Sequence, residues 1–444
     1  MREATARNVW DGRQQAAARG SNTPVRAAVA ALAAVVALAT AIAAGCAQPL
    51  PGAGGTGSGG TAGASGAPGA ATGLAGGTAG EAPLTPGAYV ISGKLPATAV
   101  PATAAPDPEV VGYRSEEITF SSGAGADAVT LAATLLLPVH ATGKLGAVVL
   151  VAGSGPTDRD WNNPLLPGKV DTGRVLAEHL AKAGLATLRY DKRGSGGSTK
   201  VTVAKWGEFD ADLIAARAYL AARPEVDAAR IGVLGHSEGA MLAAKAAAAT
   251  PPGTFAALAY MAGPGRSFGV ILSQQVHDSL ARDGTAEPAI AASLAYLEDA
   301  LAKIVAGTTP VPPGGAVAPF VGELVTQLTA PANIDFVRGW LNHDPVATLV
   351  AVKCPLLLGV GDNDAQIDPS DLKALTKGLE AAGRKDAIVR VFVHTDHVLK
   401  VQPKMPKEMT TKDIALSYGE PRLVSLEVVD ALVEFFGRTL APPK

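Results

Sequence analysis

The sequence predicts an α/β fold: a mostly parallel β-sheet with helices on both faces and an inserted helical cap. Three observations carry this reading. From Val110 onward, short apolar runs alternate with amphipathic helical patterns, as in a parallel sheet wrapped on both sides. One run, 231–234, passes through Gly235-His236-Ser237-Glu238-Gly239 straight into an Ala-rich helix. Residues 263–350 break the alternation, with helical patterns around 270–282, 289–306 and 320–328.

The chain begins with a polar stretch, 1–26, that carries Arg2, Arg7, Arg13, Arg19 and Arg26. An uncharged run of Ala, Val, Leu and Ile follows over 27–44 and ends at Ala43-Ala44-Gly45-Cys46. A basic region, an apolar core and small residues make an export signal. The run is about long enough to span a bilayer, but its alanine content suits cleavage better than permanent anchoring. Small residues directly before Cys46 resemble a bacterial lipobox, in which the cysteine becomes the lipidated N-terminus; Ala43 stands where Leu is usual. The expectation is export to the cell envelope. A lipid anchor would hold the protein on the outer side of the cytoplasmic membrane if Cys46 is lipidated, and it would be secreted otherwise. Residues 47–108 are Gly, Ala, Pro, Thr and Ser with almost no charge. Such a stretch buries too little apolar surface to offset its ordering entropy, so it reads as a disordered tether.

The folded domain is expected over 109–444. Runs 116–120 and 129–137 read as strands joined by a Gly-rich turn, and 147–151 as a fully apolar strand. An amphipathic helix over 172–183 is closed by Gly184. Then come strand 185–190, helix 209–222 and strands 231–234, 256–261, 355–360 and 387–393, with a last helix at 426–438. The segment at about 264–350 lies between two of these strands and reads as a helical cap over the site. In such sheets functional residues collect at the strand C-terminal ends.

Composition excludes several classes. The formal net charge of -2 gives no electrostatic case for nucleic acid. Cys46 and Cys354 stand in unrelated contexts, which argues against a disulfide framework. No C-x-x-C or H-E-x-x-H spacing supports a zinc site.

The chemistry converges on Ser237. A G-x-S-x-G turn between strand and helix holds a serine hydroxyl clear of the sheet edge, and side chains at 235 or 239 would strike backbone in so tight a bend. A serine needs a base, and the base an orienting carboxylate, both later in the chain at strand ends. Strand 356–360 runs into Gly361-Asp362-Asn363-Asp364, which places Asp364 as the acid, with Asp362 and Asp368 as competitors. Strand 389–393 runs into His394-Thr395-Asp396-His397; His397, farther into the loop, is the better base than His394. The growing oxyanion needs two N–H donors. The backbone amide of Glu238 is one candidate, and that of Ser154, in the loop Gly153-Ser154-Gly155-Pro156 after the early central strand, is the other. The charged, Gly-rich stretch 190–198 reads as a turn pinned by Asp191 and Arg193.

These stretches carry a family resemblance over about 115–437. Taken in order, 151–160, 189–198, Gly235-His236-Ser237-Glu238-Gly239, 361–367 and 396–400 resemble the α/β-hydrolase superfamily, and within it exported bacterial esterases related to dienelactone hydrolases. The resemblance implies hydrolysis of a small carboxylic ester, with Ser237 as nucleophile, Asp364 as acid and His397 as base, and no cofactor. Two features depart from it: Asp396 stands where Asn is common, and an unusual Lys-, Pro- and Met-rich segment follows at 401–421, expected to shape substrate entry. The same triad also serves peptidases and acyltransferases. A rival of another class is a non-catalytic envelope lipoprotein that binds a lipid or cell-wall ligand.

Overall fold

The computed structural model describes residues 89–91, 112–201, 203 and 205–443. Nine strands form one sheet: β1 (Tyr89–Ile91), β2 (Tyr113–Ser122), β3 (Val129–Pro138), β4 (Leu145–Val151), β5 (Ala186–Tyr190), β6 (Val226–His236), β7 (Leu258–Met261), β8 (Leu356–Gly361) and β9 (Ile388–Phe392). Their order is β1-β9-β8-β7-β6-β4-β5-β3-β2. β3 runs antiparallel to β2 and β5, and the remaining pairs are parallel. Every residue of β4 is buried, as expected of a central strand covered on both faces. β6 starts at Val226 rather than at 231, because Val226 pairs with Leu145 before a register shift brings Ile231 opposite Ala147.

The helices in chain order are α1 (Thr172–Lys182), α2 (Glu208–Ala221), α3 (Glu238–Ala249), α4 (Phe268–Arg282), α5 (Glu287–Ala306), α6 (Pro319–Leu328), α7 (Ile334–Leu341), α8 (Pro345–Ala351), α9 (Pro369–Ala381), α10 (Thr411–Tyr418) and α11 (Leu426–Thr439). α1 buries Leu176, Ala177, Leu180 and Ala181 on one stripe, and Gly184 at φ 91° ends it in the left-handed conformation. One face of the sheet is covered by α1 and α11, through Leu176, Leu180, Leu432 and Phe436. The other carries α2, α3, α8 and α9, through Leu213, Ala243, Leu349 and Leu375. Among the described residues no helix is long and apolar enough to cross a membrane.

The insertion between β7 and β8 has its own core. Phe268, Leu272, Leu297, Leu324, Phe336 and Trp340 of α4–α7 pack together and onto Phe209, Met241 and Leu242 of α2 and α3. Its last helix departs from the expected boundary. α8, inside 264–350, packs on the sheet through Leu349, because Asp344 caps a new helix start at Pro345 and turns it back to the main core. Helical periodicity marks a buried stripe but not the neighbour that covers it.

A second correction concerns the tether. Tyr89–Ile91 lies inside 47–108, yet it forms β1 and pairs with Val389–Val391 at the open sheet edge. An aromatic and two β-branched residues in a row suit an edge strand, and the low-complexity flanks hide them in the sequence. The export signal, Cys46 and the rest of the tether lie outside the described residues.

Candidate active site

Ser237 sits between β6 and α3 at φ 54° and ψ −124°, a conformation that non-glycine residues avoid. Its amide donates to Met261 O at 2.9 Å, which fixes the turn to β7. The flanking glycines are steric necessities. A Cβ at Gly235 would lie 2.4 Å from Gly239 O, and one at Gly239 2.4 Å from Val151 O. The N-terminus of α3 thus begins at the serine, where its dipole favours developing negative charge.

The loops after β8 and β9 bring the other two groups to it. His397 Nε2 lies 3.1 Å from Ser237 Oγ, and its Nδ1 lies 3.0 and 2.9 Å from the two oxygens of Asp364. A carboxylate only accepts, so Nδ1 carries the proton and Nε2 is free to take one from the serine hydroxyl. Asp364 is itself fixed by the amides of Gln366 and Ile367, at 2.8 and 2.9 Å. Its competitors are placed elsewhere: Asp368 caps α9 through Ser370 N, and Asp362 lies on the surface. His394 also takes no part. At φ 50° it sits in a tight turn, and its backbone carbonyl accepts from Gln402 N.

Further residues hold this arrangement, and of these sequence reasoning passed over His236, Trp161 and Arg422. His236 lies 2.6 Å through Nε2 from His397 O, and its ring stacks on Trp161 with centroids 5.0 Å apart. Since a carbonyl only accepts, Nε2 carries the proton. Burial, with the His397 charge adding to it, pushes the pKa of His236 down to about 3, so the ring stays neutral. Asp396, buried beside His397, pairs with Arg422 at 2.6 Å and accepts from Lys400 N at 2.9 Å. Burial raises its pKa while Arg422 opposes the rise. Arg422 also donates to Ser417 O, and Lys400 to the carbonyls of Tyr418 and Glu420, so the unusual segment 401–421 is strapped to the His397 loop.

Ser154 lines the same cavity as Ser237, and Glu238 follows Ser237 directly in the chain. A Cβ built at Gly153 would lie 3.1 Å from Ser237 Cβ, which puts the start of the 153–157 loop against Ser237. Glu238 is the first residue of α3. The 190–198 turn is pinned by separate partners: Asp191 accepts from Arg159 and from Gly197 N, whereas Arg193 forms a paired contact with Asp212 at 2.7 and 2.8 Å.

A cavity of about 60 Å³ opens over Ser237, walled by Trp161, Leu166, Val170, Val398 and Tyr418 among others. Residues 264–350 contribute nothing to this lining; the cover comes from the 153–170 segment and from α10. α4 instead lines an adjacent cavity of about 430 Å³ behind Asp364, and Gln366 borders both. Among the described residues no three His, Cys, Asp or Glu side chains converge as metal ligands.

The strand order and the strand–turn–helix at Ser237 are those of an α/β-hydrolase fold. Residues 171–268, which include Ser237 but neither Asp364 nor His397, match the family described as serine aminopeptidase S33. The chain is 29% identical over 263 residues to Esterase EstD of Thermotoga maritima, a match that covers 58% of this chain and 55% of that protein. It therefore spans about half the length of the curated relative it matches. Among solved structures it is similar to the esterase Pf2001 of Pyrococcus furiosus, with 16% identity, 81% of this chain and 99% of that one covered, and a TM-score of 0.45. It is also similar to Est1E of Butyrivibrio proteoclasticus, solved with ferulic acid bound, with 15% identity, coverage of 73% and 100%, and a TM-score of 0.45.

Proposed function

We propose that the protein is a serine esterase that cleaves small carboxylic esters through an acyl-enzyme. The observation that carries this reading is the hydrogen-bonded chain from Ser237 Oγ through His397 to Asp364. In the proposed reaction His397 Nε2 takes the hydroxyl proton as Ser237 attacks the ester carbonyl. The oxyanion is held by the amides of Ser154 and Glu238. The imidazolium then protonates the departing alcohol, and water, activated by the same nitrogen, releases the acid. A cavity of about 60 Å³ at the nucleophile suits a short acyl group.

Ser237→Ala tests the assignment. It is expected to fold normally and to lose about 10⁴- to 10⁶-fold in kcat, and turnover above a tenth of wild type overturns it. Labelling by a serine-directed phosphonate separates an enzyme from a ligand-binding lipoprotein. The S33 description favours a second reading as a peptidase. Parallel assays on esters and aminoacyl amides with the same acyl group decide between the two, since a peptidase turns over the amide.

The export reading rests on sequence pattern alone. With Cys46 lipidated, the full chain is expected in the detergent phase of a Triton X-114 extract, and Cys46→Ser in the aqueous phase. A wild-type chain found wholly in the aqueous phase contradicts lipidation.

A further inference from the structure

Lys192 follows β5 in the turn toward α2, and it is 4% exposed. Its ammonium lies 2.8 Å from Glu238 Oε1 and 3.0 Å from Gly153 O, with the Phe209 ring 4.8 Å away on another side. Glu238 is 2% exposed, so the pair is closed off from water. The catalytic chain from Ser237 to Asp364 does not use it.

Both partners bear on the oxyanion donors. Glu238 supplies one donor through its own amide. The other, Ser154 N–H, belongs to the same peptide unit as Gly153 C=O. In a trans peptide the C=O and N–H point in opposite directions. Holding Gly153 O toward Lys192 therefore turns Ser154 N–H away from Lys192. The 153–154 loop touches Ser237, and Ser154 lines the cavity over it. A cation bound to the carbonyl also polarises that peptide and strengthens its N–H as a donor. We infer that Lys192 is a positioning residue that sets the aim of both oxyanion donors, tying the end of β4 to the start of α3 through one ammonium.

Charge and stability point the same way. Lys192 and Glu238 neutralise each other, so the pair adds no net charge at the site. A buried ion pair contributes little stability beyond what well-packed apolar residues would give. Its distinctive effect here is geometric: two chain segments 85 residues apart, at 153 and 238, are held to one point.

The inference rests on the proposed triad, and the experiment keeps the two separable. kcat and KM for p-nitrophenyl acetate are measured with the full chain for wild type, Lys192→Met, Glu238→Gln and the double variant Lys192→Met/Glu238→Leu. The double variant leaves no orphaned buried charge, so it stays folded even where Lys192→Met alone does not. Expected are a fall in kcat of about 100-fold with KM near wild type and an equal loss of affinity for a trifluoromethyl ketone, whose serine adduct carries an oxyanion. Lys192→Arg, which keeps the cation, should recover part of both. A folded double variant with kcat within about threefold of wild type, or a loss confined to KM, overturns the inference. Failure of a phosphonate to label wild-type Ser237 overturns the triad itself, whereas normal labelling with an undiminished double variant overturns only the role of Lys192.

Discussion

Ser237 and His397 meet at 3.1 Å, yet the chain holds the two by different means. The serine is fixed by backbone. Two glycines without room for a side chain, a left-handed φ and a bond to Met261 O leave the turn one shape. The histidine is fixed by polar side chains reaching from far along the chain. Arg422 holds Asp396, Lys400 binds the carbonyls of the following segment, and His236 is bonded to the His397 carbonyl. The first arrangement is steric and indifferent to pH. The second is charged and buried, and burial moves its pKa values: Lys400 is pushed down to about 8 and Asp396 upward. Substitutions in the two regions should therefore fail in different ways, one through shape and the other through charge.

On the steric side the effect falls on turnover. Gly239→Ala places a methyl 2.4 Å from Val151 O and 2.5 Å from Ala152 O, both main-chain atoms of a central strand and the loop that follows it. Either the elbow or the end of β4 must shift. A displacement of about 1 Å at Ser237 is enough for roughly a 100-fold loss in kcat under the proposed mechanism. Gly437→Ala in α11, where the added methyl meets nothing within 4 Å, is the control; it should be neutral or stabilise by up to about 1 kcal/mol. Equal losses in both variants would mean that close packing at Gly239 is not what sets the turn.

On the polar side, Arg422→Met should destabilise by about 3–5 kcal/mol, because it leaves Asp396 buried and unpaired. Adding Asp396→Asn removes that charge and should restore most of the loss, which a double-mutant cycle in urea unfolding would measure. Additive effects would mean that the two residues act independently. The sequence comparison anticipated this pair from one end only, as an Asp where relatives of the resembled family often carry Asn.

That asymmetry runs through what the sequence made legible. The strand alternation and the Ser237 elbow are local patterns, set by period, glycine and chain neighbours, and they could be read directly. Asp364 and His397 followed from chain order and from their places beyond strand ends. Lys192, His236, Arg422 and Trp161 could not be read in this way. Each acts on a residue distant in sequence, as Lys192 does on Glu238 and Arg422 on Asp396, and no local periodicity encodes such a meeting. A signal existed in retrospect: Lys192 and Glu238 are charges embedded beside apolar strand ends, where an unpaired charge would be costly. The walls of the Ser237 cavity were legible only in part, through the unusual segment 401–421 that contributes Tyr418. Helical pattern announced the insertion at 264–350, while the cover came from loop residues 153–170 and from α10, which have little periodicity.

The smallest effect is a pH dependence, and it sharpens the contrast because it arises in the polar support alone. His236 has a folded pKa of about 3 against about 6.5 when unfolded. Between those values the unfolded chain binds one more proton than the folded one, so stability falls as pH drops through this window and is unaffected above it. At pH 5 the loss relative to pH 8 is about 2 kcal/mol from this residue. His236→Gln keeps an N–H donor for the His397 carbonyl but has nothing to titrate. Its unfolding free energy should therefore fall less between pH 8 and pH 5, by about the same 2 kcal/mol. Some acid sensitivity should remain, because burial also pushes His343, in the insertion, down to about 4. Superimposable stability curves for variant and wild type would mean that His236 is protonated in the folded protein. A carbonyl already accepting from Nε2 leaves only Nδ1 to take that proton, and a charged ring beside His397 would then repel the imidazolium that the proposed reaction requires.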